Sequence, residues 1–146
     1  MKSTRRLFSA LGLAWLVFCG AASAQKSDVS AADAKQIRAV VQAQLDAFAA
    51  DDARRAFSYA APAIREMFGT ADKFMAMVRA GYPAVVRPTS VVFFTPERVA
   101  GELIQVVELT DAAGSVWRAI YQMQRQRDKS WRINGCQVVP SPGRVT

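Results

Sequence analysis

From Ala31 to Ala50 the apolar residues Ile37, Val40, Val41, Leu45 and Phe48 recur three and four positions apart, which at about 100° per residue gathers them into one arc of an α-helix. Ser30-Ala31-Ala32-Asp33 stands ahead of that run and predicts a capping box, with Ser30 on the first-turn amides and Asp33 reaching back. Gln44 falls in the middle of the apolar arc, whereas Asp46 projects from the opposite side. Asp51 or Asp52 caps a second helix through Ala60, whose apolar face is Ala53, Ala56, Phe57 and Ala60, with Arg54 and Arg55 outside. Pro62, at a first helical position, opens a short helix carrying Ile64, Met67 and Phe68 that ends at Gly69. A further helix starts near Thr70, buries Phe74, Met77 and Val78, and stops at Gly81.

After Pro83 the pattern changes to β-branched and aromatic runs between turn residues. Strands are predicted over Arg87 to Thr95, Glu102 to Thr110, Ser115 to Arg127 and Ser130 to Val139. Thr95-Pro96-Glu97-Arg98 with Gly101, Asp111-Ala112-Ala113-Gly114 and Asp128-Lys129 supply the connections. Helices first and four antiparallel strands afterwards predict an α+β fold with one domain over 25–146 and a core at about 31–140. The tail from Pro140 to Thr146 is expected to fray. Val91-Val92-Phe93-Phe94 and Ile104-Gln105-Val106-Val107 are apolar on both alternating faces, whereas a sheet with one wet face alternates cleanly. Either a partner subunit covers the second face, giving a homodimer through the sheet, or strong curvature folds the sheet on itself.

The chain ahead of this domain has a different character. Lys2, Arg5 and Arg6 precede an apolar run from Leu7 to Cys19, and Ala22-Ser23-Ala24 follows with small residues, the order of a signal peptide cleaved between Ala24 and Gln25. The run is shorter than the roughly 20 residues that cross a bilayer, and Gly12 and Gly20 interrupt it. Contact with the membrane is therefore expected only through the transient leader, and the mature protein is expected in the periplasm or outside the cell. Thr4-Arg5-Arg6-Leu7-Phe8 also resembles the opening of a twin-arginine signal, and Leu16-Val17-Phe18-Cys19 a lipoprotein box with bulky Phe18 where a small residue is wanted.

Losing Lys2, Arg5 and Arg6 from the 19 basic residues, against 12 acidic ones, takes the formal charge from +7 to +4. That modest, dispersed excess argues against a nucleic-acid partner. Cys19 leaves with the leader, so Cys136 stands alone without an intrachain disulfide partner. With no histidine anywhere in the chain, the Ser-His and Cys-His couples and the usual zinc and haem ligand sets are missing, and no metal or cofactor is expected.

The candidate binding residues are Gln44 from the first helix, Arg87 at the start of the sheet, and Arg118, Arg132 and Cys136 from the last two strands. By strict alternation Arg118, Ile120 and Gln122 share a face of the third strand opposite Trp117, Ala119, Tyr121 and Met123. In the fourth, Arg132, Asn134 and Cys136 oppose Trp131, Ile133 and Gly135. Two arginines on a common face would clamp a carboxylate or phosphate through their planar guanidinium forks, so an anionic ligand is one possibility. Met67, Met75 and Met77 with Phe68 and Phe74 form an adaptable apolar cluster, which is either core or the lining of a pocket for a small apolar ligand. Tyr82, Tyr121 and Glu108 are the candidate catalytic residues: the tyrosines as proton donors, and Glu108 as a base if burial raises its pKa.

At Met67-Phe68-Gly69, Phe74-Met75-Ala76-Met77-Val78, Tyr82-Pro83, Arg87-Pro88, Trp117-Arg118-Ala119 and Trp131-Arg132-Ile133-Asn134-Gly135-Cys136 the chain resembles a bacterial family, domain of unknown function 4864, over Ile37 to Pro142. That family resembles a branch of the nuclear transport factor 2-like superfamily. The resemblance implies helices packed into the concave side of a bent antiparallel sheet, forming a cone with a pocket. The superfamily holds isomerases, dehydratases, polyketide cyclases and non-catalytic binding modules, so fold alone does not choose among them. Its enzymes rely on an inward acid-base residue, often Asp or His; here histidine is absent and Asp46 points outward. The sequence therefore favours an exported non-catalytic binding domain, with an isomerase- or dehydratase-type enzyme using Tyr82, Tyr121 or Glu108 as the alternative. Mass analysis of exported protein is expected to find Gln25 first; an intact Met1 or an acylated Cys19 would contradict cleavage.

Overall fold

The first helix, α1 (Ala31–Ala49), begins where its cap predicts: Ser30 Oγ accepts from the Asp33 amide at 3.0 Å and donates to the Asp33 carboxylate at 2.9 Å. Asp33 also accepts from Trp131 Nε1 at 3.1 Å, so the cap fastens the helix to the far end of the chain. The structure, a computed structural model, describes residues 29–143. The expected leader, the polar stretch up to Asp28 and the last three residues of the tail lie outside the described residues.

Helix α2 (Ala53–Ser58) is capped by Asp52, whose Oδ1 accepts from the Arg55 amide at 3.0 Å. It stops short of the expected Ala60 because Tyr59 to Ala61 leave the helix to pair with the last strand: Ile133 N donates to Tyr59 O and Ala61 N to Ile133 O, both at 2.8 Å. Helix α3 (Pro62–Phe68) ends at Gly69, whose φ of 72° is left-handed, a conformation that suits glycine. Helix α4 (Ala71–Gly81) is capped by Thr70 and buries Phe74, Met75 and Val78; Met75 takes the buried place expected of Met77. A single turn, α5 (Pro83–Val86), follows where no helix was expected, with Pro83 at the N-terminal position its fixed φ favours.

The sheet has five antiparallel strands, not four: β1 (Ser90–Phe93), β2 (Glu97–Val99), β3 (Glu102–Thr110), β4 (Val116–Arg125) and β5 (Trp131–Pro140), in the order β1-β3-β4-β5 with β2 also on β3. The fifth strand comes from the segment expected as a connection. Phe93 pairs with Val107 and Glu97 with Ile104, so one edge of β3 carries two short strands, separated at Pro96, which has no N–H for a ladder. Ala100 and Gly101, at φ 49° and 85°, close the β2–β3 hairpin, the left-handed pair that a tight two-residue turn demands.

Strands β3 and β4 alternate cleanly. Leu103, Gln105, Val107 and Leu109 point inward with Ala119, Tyr121 and Met123, against Ile37, Val41, Leu45 and Phe48 of α1 and Phe74 and Val78 of α4. The Phe74 ring lies 5.3 Å from Phe57, 5.6 Å from Phe68 and 6.1 Å from Phe48, centroid to centroid, which ties four helices together. In β5 the alternation breaks. Ile133 pairs with Met123 and Gly135 with Gln122, leaving Asn134 as an extra residue, a β-bulge. Beyond it every side chain changes face relative to strict alternation: Arg132 stays outward, but Cys136 pairs with Tyr121 and turns inward.

The outer face mixes exposed apolar residues with charged ones and is uncovered among the described residues. Val92 and Phe94 are 51% and 43% exposed and Val139 39%, so the sheet does not fold over itself to hide them. The tail also departs from expectation: Pro140 ends β5, and Ser141 donates from its amide to Val116 O at 2.9 Å and from Oγ to Glu108 at 3.0 Å. No helix among the described residues is long and apolar enough to cross a membrane.

Candidate functional site

Between the inner face of β4 and β5 and helices α1, α3 and α4 lies a cavity of about 240 Å³. Its walls are Phe48, Ile64, Phe68, Phe74, Met77 and Val78 with their neighbours, and Met67, 73% exposed, marks its open side. The Met-Phe cluster therefore divides: Met67, Phe68, Phe74 and Met77 line the cavity, while Met75 belongs to the core. Four polar side chains reach the same space, namely Gln44, Tyr82, Tyr121 and Cys136.

Each arrives by a separate structural cause. Gln44 sits in the buried arc of α1 and donates from Nε2 to Ala56 O at 3.1 Å, which anchors α2 and leaves its carbonyl oxygen as acceptor. Tyr82 ends α4 and begins α5, half-buried at the rim. Tyr121 is inward by alternation, 1% exposed, and its hydroxyl makes no hydrogen bond of ordinary length and angle, having only the neighbouring Cys136 thiol as a weak contact. Cys136 is inward because of the bulge; its Sγ makes only a long 3.9 Å contact to Gln137 O.

Burial in these apolar surroundings pushes the Tyr121 phenol well above its ordinary range, and the neighbouring thiol adds a smaller push. The same desolvation carries the Cys136 thiol up to about 12, against a smaller opposing effect of Tyr121. Both groups are thus protonated at neutral pH, and among the described residues no Asp, Glu, Lys or Arg lines the cavity. It offers hydrogen bonds and no charge.

The remaining candidate residues lie elsewhere. Arg87 is exposed, and its Nε donates to Ala49 O at 3.2 Å, satisfying a carbonyl of the last turn of α1 where a cation suits the helix dipole. Arg118 and Arg132 do share the outer face, yet Arg132 pairs with Gln124, six residues along β4 from Arg118, roughly 20 Å at about 3.3 Å per residue. One small anion cannot span that distance, so they form no clamp. Arg118 Nε lies 3.7 Å from Glu108 Oε2 with its guanidinium 5.5 Å from the Phe94 ring centre; Arg132 donates to Trp131 O at 3.0 Å. Glu108 is also on the outer face, opposite Arg118 in the ladder, with the sheet between it and the cavity.

A wider groove of about 610 Å³ runs past the other side of Tyr82, beside Arg79, Arg87 and Trp117. Its arginines are engaged, Arg79 with Asp51 and Arg87 with α1. Among the described residues no three of Cys, Asp and Glu gather as a metal site.

The family model described as Domain of unknown function (DUF4864) matches residues 30–146, from the α1 cap through β5. The chain belongs to that family. No curated protein and no solved structure matches it.

Sequence reasoning missed Gln105, fully buried among the inward residues of β3. Its Nε2 donates to Phe94 O at 2.7 Å and Val106 O at 2.9 Å, holding the break between β1 and β2. A glutamine alternating with Leu103 and Val107 was the available signal. The site geometry gives a direct expectation for Cys136: alkylation of the native protein at pH 8, followed on the Cys136 peptide, is expected on the order of a thousandfold slower than for a free cysteine. A rate within tenfold of free cysteine would place the thiol outside the cavity.

Proposed function

We propose that this protein is an exported, non-catalytic binding domain that takes a small apolar ligand into the cavity between its helices and sheet. The carrying observation is the cavity's composition: about 240 Å³ walled by apolar side chains, with only uncharged polar groups among them. Ligand sites combine largely apolar walls with a few placed polar groups. Proton transfer near neutral pH calls for a group whose pKa lies near 7, and two titratable groups of the cavity, Tyr121 and Cys136, are pushed the other way. Glu108, the carboxylate favoured for catalysis, faces the opposite side of the sheet, which favours binding over the enzymatic alternative.

Support for export and a periplasmic or secreted life comes from the leader residues Lys2 to Ala24. Helices on one sheet face around a cavity suit a nuclear transport factor 2-like cone, and that is the finer fold we adopt.

The outer face supports pairing with a second copy. Val92, Phe94 and Val139 are exposed there around Glu108 and Arg118, which sit side by side. A two-fold arrangement presents each charge with its opposite while burying the apolar surface. Sedimentation is expected to show a dimer that Val92→Lys converts to monomer; a wild-type monomer at high concentration would refute pairing.

Ligand uptake is tested with the neutral fluorophore N-phenyl-1-naphthylamine. Saturable, blue-shifted fluorescence at one site per chain is expected, and Met77→Trp, which fills the cavity, is expected to weaken it at least about tenfold, the loss of roughly 1.4 kcal/mol. Absence of saturable uptake by the wild-type protein would contradict the proposal.

A further inference from the structure

Tyr121 carries the one unpartnered side-chain oxygen of the cavity wall that is almost wholly buried, at 1% exposure. A buried hydroxyl without a partner is costly, and structures retain few such groups without a reason. Its nearest polar neighbour across the β4–β5 ladder is Cys136, and a thiol is a weak partner for a phenol. A lone water would have only Gln44, Tyr82 and the weak Cys136 thiol as further polar side chains along otherwise apolar walls. The hydroxyl points to something a ligand brings.

Resting on the cavity's role as a ligand site, we infer that its ligand is an uncharged, mainly apolar molecule carrying a carbonyl oxygen, which accepts a hydrogen bond from the Tyr121 hydroxyl. A carbonyl is an acceptor, the complement that the Tyr121 hydroxyl needs as a donor. A carboxylate or phosphate would need a cation, and among the described residues none lines the cavity: Arg87 is bound to the end of α1, and Arg118 and Arg132 are across the sheet. A pure hydrocarbon would leave the hydroxyl unpaired. For size, a cavity of about 150 Å³ accepts a benzene-sized molecule, so about 240 Å³ encloses a ring with a short substituent, and a larger probe such as N-phenyl-1-naphthylamine extends past the open side at Met67.

The test uses three compounds of nearly equal shape, each displacing N-phenyl-1-naphthylamine from the wild-type protein and from Tyr121→Phe: acetophenone, α-methylstyrene and benzoate. In the wild-type protein acetophenone is expected to bind about tenfold tighter than α-methylstyrene, the effect of one hydrogen bond in a dry site. Benzoate is expected at least about a hundredfold weaker than acetophenone, because its charge is desolvated without a partner. In Tyr121→Phe the ketone and the alkene are expected to bind equally while the fluorophore still binds. The inference is overturned by a ketone preference that survives in Tyr121→Phe, by benzoate competing as well as acetophenone, or by no ketone preference in a wild-type protein that takes up the fluorophore. No uptake of the fluorophore at all would instead overturn the binding reading beneath it. Should Tyr121→Phe fail to fold, wild-type protein carrying [13Cζ]tyrosine decides the matter. Acetophenone is expected to shift the Tyr121 resonance where α-methylstyrene does not, and equal responses would overturn the inference.

Discussion

One inserted residue, Asn134, sets the chemistry of the interior. Without a bulge, strict alternation along β5 would turn Cys136 to the outer face beside Arg132. With it, Met123 opposes Ile133, Gln122 opposes Gly135, and Tyr121 meets Cys136 on the inner face. The bulge also lets Trp131 and Ile133 stay inward, where both are buried, while the strand beyond it keeps Val138 against the core. Ile133 faces Met123 of β4 on one side, and on the other its backbone N–H and C=O bond Tyr59 and Ala61. That bonding brings the start of α3 to the cavity wall. Bulges occur where a strand must re-aim a side chain, and here the re-aimed chain is the only cysteine of the described residues.

The same geometry separates charge from the interior. Arginines serve the surface: Arg87 closes α1, Arg79 pairs with Asp51, Arg38 and Arg125 lie over Phe93 and Trp131, and Arg118 stands between Glu108 and Phe94. Carboxylates fix turns and caps. Asp111 accepts from the Ala113 and Ser115 amides and from Trp117 Nε1, bonds that hold its pKa below the usual carboxylate value, with Trp117 contributing most. Asp33 is lowered likewise, chiefly by Ser30 and then Trp131. Such groups lend stability above the unfolded carboxylate pKa and lose it as pH falls through the folded one, so their contribution belongs to acid pH. The cavity groups have the reverse sign. Cys136 and Tyr121, raised in the folded state, contribute fully below their unfolded values and lose that contribution progressively as pH rises from those values through the folded ones.

The helices were legible in the sequence because their signals are local. Ser30, Asp52, Thr70, Pro62 and Gly69 cap or stop them as their side chains dictate, and the arc of α1 revealed that Gln44 is buried. Sheet details depend on partners distant in sequence, and there the reading failed in specific ways. Pro96 looked like the end of a strand, but β3 pairs with residues on both sides of it. The facing of Cys136 hinged on one unpaired residue that no composition marks. The arginine clamp failed on distance, since a shared face says nothing of separation along a strand. Of the candidate residues, Gln44, Tyr82, Tyr121 and Cys136 converge, while Arg87, Glu108, Arg118 and Arg132 do not.

Everything said of the interior rests on the pairing of Tyr121 with Cys136, which nuclear Overhauser spectroscopy of the folded protein reads directly. Cross-peaks are expected between the Tyr121 ring protons and the Cys136 β-protons, with none from those β-protons to the Ile120 side chain. Cross-peaks from Cys136 to Ile120 and none to Tyr121 would put the thiol on the outer face, and the neutral polar end of the cavity would not exist.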